Sequence, residues 1–541
     1  MTAQPLARAV RRAAVTLLLV MPAAARAQQV ERWSVQLLRG KDTITTERVT
    51  LGESSVSGDL LDRSGGSRLA WRMDRTPTGP RAFQLTVRAG ADAPNVPPRQ
   101  RVDVRFTGDS AIGTVVTGSA QPVTRRAAAK VGAIPYVNPS MVLAELAARA
   151  ALSGGAVEGH ATLFMLNGTS MAFPVKRIGA DSIVITMAGT ALRARTDAEG
   201  RILGGAIPAQ GLTIVRGPWL DDAALKLPKP DYSAPAGAPY DAEEVRVPTA
   251  RGYELAGTFT RPRGAMGKLA VAVTVTGSGP QDRDEGIQLF GDYRPFRWVA
   301  DTLGRRGVAV LRLDDRGTGA SGGDFATATS ADFADDVRSA LAWLRTRDDV
   351  DARKLFIVGH SEGGLVAPMV AATDPALAGI VLIAGPARTG RTILDFQLRN
   401  GISGDTSLTV AKRDSALARV PALLDSLVKS SPWLTFFADH DPLATAKKVT
   451  VPVLILQGAT DQQVTAEQAE ALAQALRAGG NRAVTARVFP ETNHFMVPDT
   501  SGFPGNYARL PSMAMLREVL GAIADWVAAL ASRRSAGPIP E

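Results

Sequence analysis

From Gln28 to about Arg216 the apolar residues recur mostly at every second position. Trp33, Val35 and Leu37 alternate with polar neighbours, and so do Phe83, Leu85 and Val87. The same holds for Val102, Val104 and Phe106, and for Ile183, Ile185 and Met187. A period of two places one row of side chains on a buried face and predicts strands. Asn167-Gly168 and the stretch Asp197–Gly200 predict turns between neighbouring strands. One helix is expected near Ser140–Ala151, after Asn138-Pro139. This half of the chain reads as an antiparallel β domain with little helix.

The stretch 217–240 carries Pro228, Pro230, Pro235 and Pro239 among small and polar residues. It reads as an extended linker. From 241 to 541 the pattern changes. Two strands are expected at Glu243–Val247 and Tyr253–Thr260. Short continuous apolar runs then alternate with helical periodicity. Strands are predicted at Leu269–Val275, Val308–Leu313, Leu355–Val358, Ile380–Ile383 and Val453–Leu456. Helices are predicted at Pro295–Leu303 and behind Ser330 as N-cap, where Phe333, Val337, Leu341 and Leu344 share a face. Fully apolar strands alternating with helices imply an α/β domain, a mostly parallel sheet covered on both faces. Between about 388 and 448 the alternation gives way to a helical insertion, read as a cap.

Residues 1–27 read as an export signal. Arg8, Arg11 and Arg12 precede a short apolar run, and Ala25-Arg26-Ala27 offers small residues before a cut at Gln28. The expected site of action is periplasmic or extracellular. No later run approaches the ~20 apolar residues of a membrane-spanning helix. The formal charge of +10 falls to +6 without the four arginines of the leading segment. No dense basic block with interleaved aromatics occurs, which argues against nucleic acid as a partner. The 541 residues contain no cysteine, so disulfides, thiolate metal sites and a cysteine nucleophile are excluded. With four histidines in all, His160, His360, His440 and His494, a multi-histidine metal centre is not expected. No cofactor or metal is called for.

The stretch Gly359-His360-Ser361-Glu362-Gly363-Gly364 follows a buried strand and opens a helical run. In that context G-x-S-x-G is a strained turn that lifts the serine hydroxyl above the sheet, so Ser361 is the candidate nucleophile. A serine needs a base. His494 lies late in the chain and is the best candidate. His360, beside the serine, is expected to serve packing or a supporting hydrogen bond. His440, between Asp439 and Asp441, reads as a surface ion-pair partner, and His160 as an ordinary polar side chain. Asp461, after the strand Val453–Leu456, is placed to orient His494. The developing oxyanion needs backbone donors in place beforehand. The N–H of Glu362 is one. Thr276-Gly277-Ser278-Gly279-Pro280 supplies the other, with Ser278 preferred and Gly279 as alternative. The Glu362 side chain reads as an acid at a helix N-terminus. Asp282–Glu285 matches no calcium loop and reads as a loop salt-bridged through Arg283, with Asp315-Arg316 as a second ordering pair.

These stretches together resemble the α/β-hydrolase superfamily, specifically its serine aminopeptidase-like branch of bacterial esterases. The resemblance rests on Gly277–Glu285, Leu313–Gly323, Gly359–Gly364, Ser431–Pro442, Val451–Val464 and Asn493–Phe495, and spans about Tyr240 to Leu530. It implies the α/β-hydrolase fold with a helical cap, Ser361, Asp461 and His494 as triad, and carboxylic ester hydrolysis without cofactor. Thr276-Gly277 stands where many relatives carry His-Gly. The substrate expected is a small ester. The alternatives are a short peptide cleaved by a serine aminopeptidase, or a noncatalytic binding protein on a hydrolase scaffold. The N-terminal domain is expected to contact an envelope surface or a partner.

Overall fold

In the computed structural model, residues 30–532 are described apart from 64–65, 91–97, 119–120, 188–189, 228–229, 288–292 and 406–407. The expected export signal lies outside them. The chain divides between Leu227 and Pro228 into two units.

In the first unit the alternation produces fifteen strands of one sheet. Glu31–Arg39 pairs with Leu212–Gly217, and two meanders run outwards from that pair. All pairings are antiparallel except Ile134–Tyr136 with Glu158–Met165. A parallel pair needs a crossover, and the helix Met141–Ala151 lies within that connection, capped by the Ser140 hydroxyl. The sheet folds over on itself, since the rings of Phe106 and Phe164 meet 5.4 Å apart from opposite meanders. Beneath it Glu47 is buried. Its carboxylate accepts from Trp71 Nε1, the Ser140 hydroxyl and the Met141 amide, at 2.9, 2.6 and 3.1 Å. His160 sits exposed on the strand Glu158–Met165.

The expected linker is anchored at both ends rather than free. Asp222–Leu225 forms a short 3-10 turn with Leu225 buried in the first unit. Tyr232 belongs to the second, where its hydroxyl donates to Asp282 and its ring lies under Arg283.

The second unit holds strands β1 (Tyr240–Pro248), β2 (Glu254–Pro262), β3 (Leu269–Val275), β4 (Ala309–Leu313), β5 (Val350–His360), β6 (Gly379–Ile383), β7 (Val453–Gly458) and β8 (Val484–Phe489). They run in the order β1-β2-β4-β3-β5-β6-β7-β8. β1 and β2 are antiparallel, β2 meets β4 antiparallel, and the rest of the sheet is parallel. Helices α1 (Pro295–Gly304), α2 (Ser330–Arg345) and α3 (Gly363–Ala371) cover it with two later helices, α8 (Glu467–Ala478) and α9 (Arg517–Ala531). Between α3 and α8 stand α4 (Gly390–Gly404), α5 (Val410–Val428), α6 (Pro432–Asp439) and α7 (Pro442–Ala446), in the span expected as a cap. Separate apolar cores form on the two faces. One packs α2, α3 and α8 through residues such as Leu341, Val366 and Leu472, and the other packs α1 and α9 through Phe296 and Val519.

Two details differ from the reading of the sequence. β8 was not anticipated, because an edge strand exposed along much of its length has no continuous apolar run. The N-cap of α2 is Thr329 rather than Ser330. Thr329 and Asp332 each bond the other's backbone N–H, a reciprocal cap that frees the Ser330 hydroxyl for another partner. Among the described residues no helix is long and apolar enough to cross a membrane.

Candidate active site

The order of the strands puts four loops at the carboxyl end of one sheet, where open α/β sheets bind ligands. They follow β3, β5, β7 and β8, and they carry Ser278, Ser361, Asp461 and His494.

The turn after β5 is tight. Ser361 adopts φ +53°, a left-handed conformation that costs about 1 kcal/mol or more for a residue with a side chain. It is held by the Ser361 amide donating to Ile383 O at 2.8 Å and the Gly364 amide donating to Ser361 O at 2.8 Å. Glycine is required on both sides. A Cβ on Gly359 would lie 2.1 Å from Gly363 O, and one on Gly363 would lie 2.1 Å from Val275 O.

Ser361 Oγ lies 3.0 Å from His494 Nε2, and His494 Nδ1 lies 2.8 Å from Asp461 Oδ2. With Nδ1–H donating to the carboxylate, Nε2 presents its lone pair to the serine hydroxyl. Asp461 is itself held by three donors. Oδ1 accepts from the Gln463 and Val464 amides at 2.7 and 3.0 Å, and Oδ2 from Gln457 Nε2 at 2.9 Å. The three residues named from the sequence are thus within hydrogen-bonding reach of one another.

The loop after β3 is clamped by Asp315. Its carboxylate accepts from the Thr276 hydroxyl and the Gln281 amide, both at 2.9 Å. Burial raises the Asp315 pKa well above the usual carboxylate range, against these two bonds. Arg316 does not pair with Asp315, as the sequence suggested, but with Asp336 at 2.7 Å. Successive residues of an irregular loop point in different directions. Within the clamped loop the Gly277 amide donates to Glu285 Oε1 at 2.9 Å. Ser278 lines the same cavity as Ser361 and Glu362, whereas Gly279 is not among its described walls.

Arg283 bridges Asp314 and Glu244 at 2.9 and 2.7 Å, and Asp284 pairs with Arg312. Asp282 and Asp284 are thereby taken up as loop and ion-pair partners. Glu285 and Glu362 are the site residues whose side-chain roles the sequence did not reveal. Glu362 Oε1 accepts from the Ser330 hydroxyl at 2.6 Å and from Trp433 Nε1 of α6 at 2.7 Å. Burial raises its pKa, opposed by hydrogen bonds from Ser330, Trp433 and Ser278. Because Ser330 and Trp433 lie 32 positions before and 71 positions after Glu362, no local pattern joins them. His440 lies elsewhere. It stacks on Phe436, and burial lowers its pKa.

The cavity over Ser361 has a volume of about 230 Å³. Its apolar walls include Ile393 and Leu394 of α4, Trp433 and Phe437 of α6, and Phe495 beside the histidine. The two α6 rings stack 5.5 Å apart at 13°. Of the cap aspartates, Asp395 pairs with Arg399, Asp425 with Arg391, and Asp441 caps α7. None of the cap aspartates is among the described walls.

A strained serine turn, a histidine–carboxylate pair bonded to it and a sheet of this order define a serine hydrolase of the α/β type. Residues 292–405 match the family described as serine aminopeptidase, S33, and residues 433–510 the prolyl oligopeptidase family. The esterase EstD of Thermotoga maritima is 30% identical over 307 residues, covering 55% of this chain and 71% of the relative. The chain belongs to the α/β-hydrolase superfamily. The dipeptidyl aminopeptidase BIII of Pseudoxanthomonas mexicana is 28% identical over 236 residues, 41% of this chain and 30% of that protein. The esterase Pf2001 of Pyrococcus furiosus superposes with a TM-score of 0.39 at 17% identity, over 56% of this chain and 96% of its own.

Proposed function

We propose that this chain hydrolyses carboxylic esters through an acyl-enzyme. Ser361 Oγ attacks the acyl carbonyl while His494 Nε2 takes its proton. The backbone N–H groups of Glu362 and Ser278 receive the developing oxyanion. His494 then protonates the departing alkoxide and the acyl-enzyme remains. Water, deprotonated by His494, attacks the acyl carbon, and collapse returns the proton to Ser361 and releases the acid.

The observation that carries the ester reading is the apolar wall of the cavity over Ser361. An aminopeptidase must hold a charged α-amino group with acceptors in its pocket. Glu285 Oε1 and Glu362 Oε1 accept from donors of the protein itself, while Oε2 of each is buried with no partner among the described residues, and no cap aspartate is among the described walls. The remaining wall is largely aliphatic and aromatic, suited to an acyl chain held by burial at ~25 cal/mol per Å². A volume of about 230 Å³ is below the ~300 Å³ at which drug-sized pockets begin. We therefore assign short or medium acyl groups. With the leading segment read as an export signal, we place the reaction in the periplasm or outside the cell.

The test compares nitrophenyl esters of increasing acyl length with aminoacyl and prolyl anilides, alongside fluorophosphonate labelling. Labelling that disappears in Ser361→Ala and a higher kcat/KM on esters are expected. A higher kcat/KM on an anilide, lost on changing a cap aspartate to asparagine, establishes the peptidase instead. Unchanged labelling in Ser361→Ala overturns the nucleophile.

A further inference from the structure

We propose that His360 and Glu285 form a buried imidazolium–carboxylate pair that positions the oxyanion loop and the base loop together. This deepens the serine-hydrolase reading above and rests on it.

The geometry begins at Glu285, which takes φ +56° on the loop after β3. One of its oxygens, Oε1, accepts from the Gly277 amide at 2.9 Å and lies 2.7 Å from His360 Nδ1. The other ring nitrogen, Nε2, lies 3.1 Å from the backbone carbonyl of His494. Both residues are 2% exposed, so water does not supply the missing partners.

A carbonyl oxygen only accepts, so Nε2 carries a proton. Nδ1 faces a carboxylate oxygen that already accepts from Gly277, so Nδ1 donates as well. A ring that donates from both nitrogens is an imidazolium. The surroundings agree. Burial alone would lower the His360 pKa, but the Glu285 charge, its hydrogen bond and the His494 carbonyl raise it overall.

The charged and titratable groups facing this ring are Glu285, His494 and Asp461. Tyr293 and Asp315 in turn lie near Glu285. The His360 ring stands between Glu285 and His494, with the two imidazole centroids 5.0 Å apart. One consequence follows. Gly277, next to the oxyanion donor Ser278, and His494 hang on one rigid unit.

Glu285→Gln separates these effects from mere packing. A glutamine oxygen can accept from Gly277 and from Nδ1–H together. The ring is then neutral and has no proton on Nε2 for the His494 carbonyl. The expected result is a kcat at least about tenfold lower with little change in KM, since misplacement acts on the transition state. A merely structural role would lower thermal stability and leave the kcat of the folded fraction in place.

A second measurement uses the full-length protein unaltered. Selective 15N labelling of four histidines, with His360 assigned by difference against His360→Gln, reports both ring nitrogens directly. Both should be protonated at pH 8, and a neutral His360 there overturns the inference whether or not Glu285→Gln folds. An unchanged kcat in folded Glu285→Gln does the same. If Ser361→Ala keeps full activity, the serine-hydrolase reading fails first. If activity depends on Ser361 and His360 is neutral, only the present inference fails.

Discussion

Trp433 Nε1 donates to Glu362 Oε1 at 2.7 Å, so a cap helix is bonded to the residue that directly follows the nucleophile. The wall of the cavity over Ser361 and the turn that carries Ser361 are therefore registered against each other. Replacing Trp433 with alanine removes the stacked wall and a donor from a buried carboxylate. The expected outcome is a KM raised by about tenfold or more on medium-chain esters. Trp433→Phe retains an aromatic wall and loses only the N–H, so its effect should be smaller. Steady-state kinetics across an acyl series check this. Equal effects of the two substitutions would show that the hydrogen bond, not the ring, matters.

Ser361→Ala and His494→Ala should each lower turnover by at least ~10³-fold with the fold intact by circular dichroism, because such residues act as a unit. Asp461→Asn should also be severe, since it reverses the group that fixes Nδ1–H. His440→Ala should leave the rate unchanged. A silent His494→Ala with a dead His440→Ala would reassign the base.

Gly363→Ala places a methyl 2.1 Å from Val275 O, a backbone atom of the adjacent strand that cannot swing aside. The helix after the elbow must back away. A cost of about 1–3 kcal/mol is the usual scale of overpacking, and here it falls on the nucleophile's own support. Thermal unfolding should show a lower Tm, and fluorophosphonate labelling should slow even in the folded fraction. Wild-type labelling by this variant would mean that the turn is more yielding than its contacts imply.

In the first unit, burial pushes the Glu47 carboxyl up to about 7, against hydrogen bonds from Ser140, Trp71, Val142 and Met141. Between about pH 4.5 and 7 the folded state keeps a proton that the unfolded chain has released. Stability therefore falls as pH rises through that window and levels off above it, by about 3 kcal/mol at most. Hydrogen exchange in the helix Met141–Ala151, corrected for intrinsic rates, should show less protection at pH 8 than at pH 5. Glu47→Gln should flatten that dependence. Greater protection of the wild type at pH 8 would contradict the assignment.

Periodicity and chain order carried much of this protein in advance. The period of two from Trp33 to Met187 is a local property of the backbone, and the sheet follows it. Gly359–Gly364 announces a strained turn because only glycine fits against Val275 and Gly363. Asp461 was legible because it sits in a loop after an apolar strand, and His494 because it lies late in a chain with only four histidines, after the serine and the aspartate.

The tertiary structure decided the rest, for a physical reason that holds at each place. Whether Arg316 meets Asp315 or Asp336 depends on loop directions that no spacing encodes. Strand β8 is an edge, so its residues are not selected for burial and leave a weak pattern. The carboxylates of Glu285 and Glu362 gain their roles from donors on separate elements: Gly277 and His360 for one, Ser330 and Trp433 for the other. Hydrogen bonds between distant elements form only after the strands are laid side by side. The sequence by itself determined which side chains could do the chemistry, and only packing decided which of them touch.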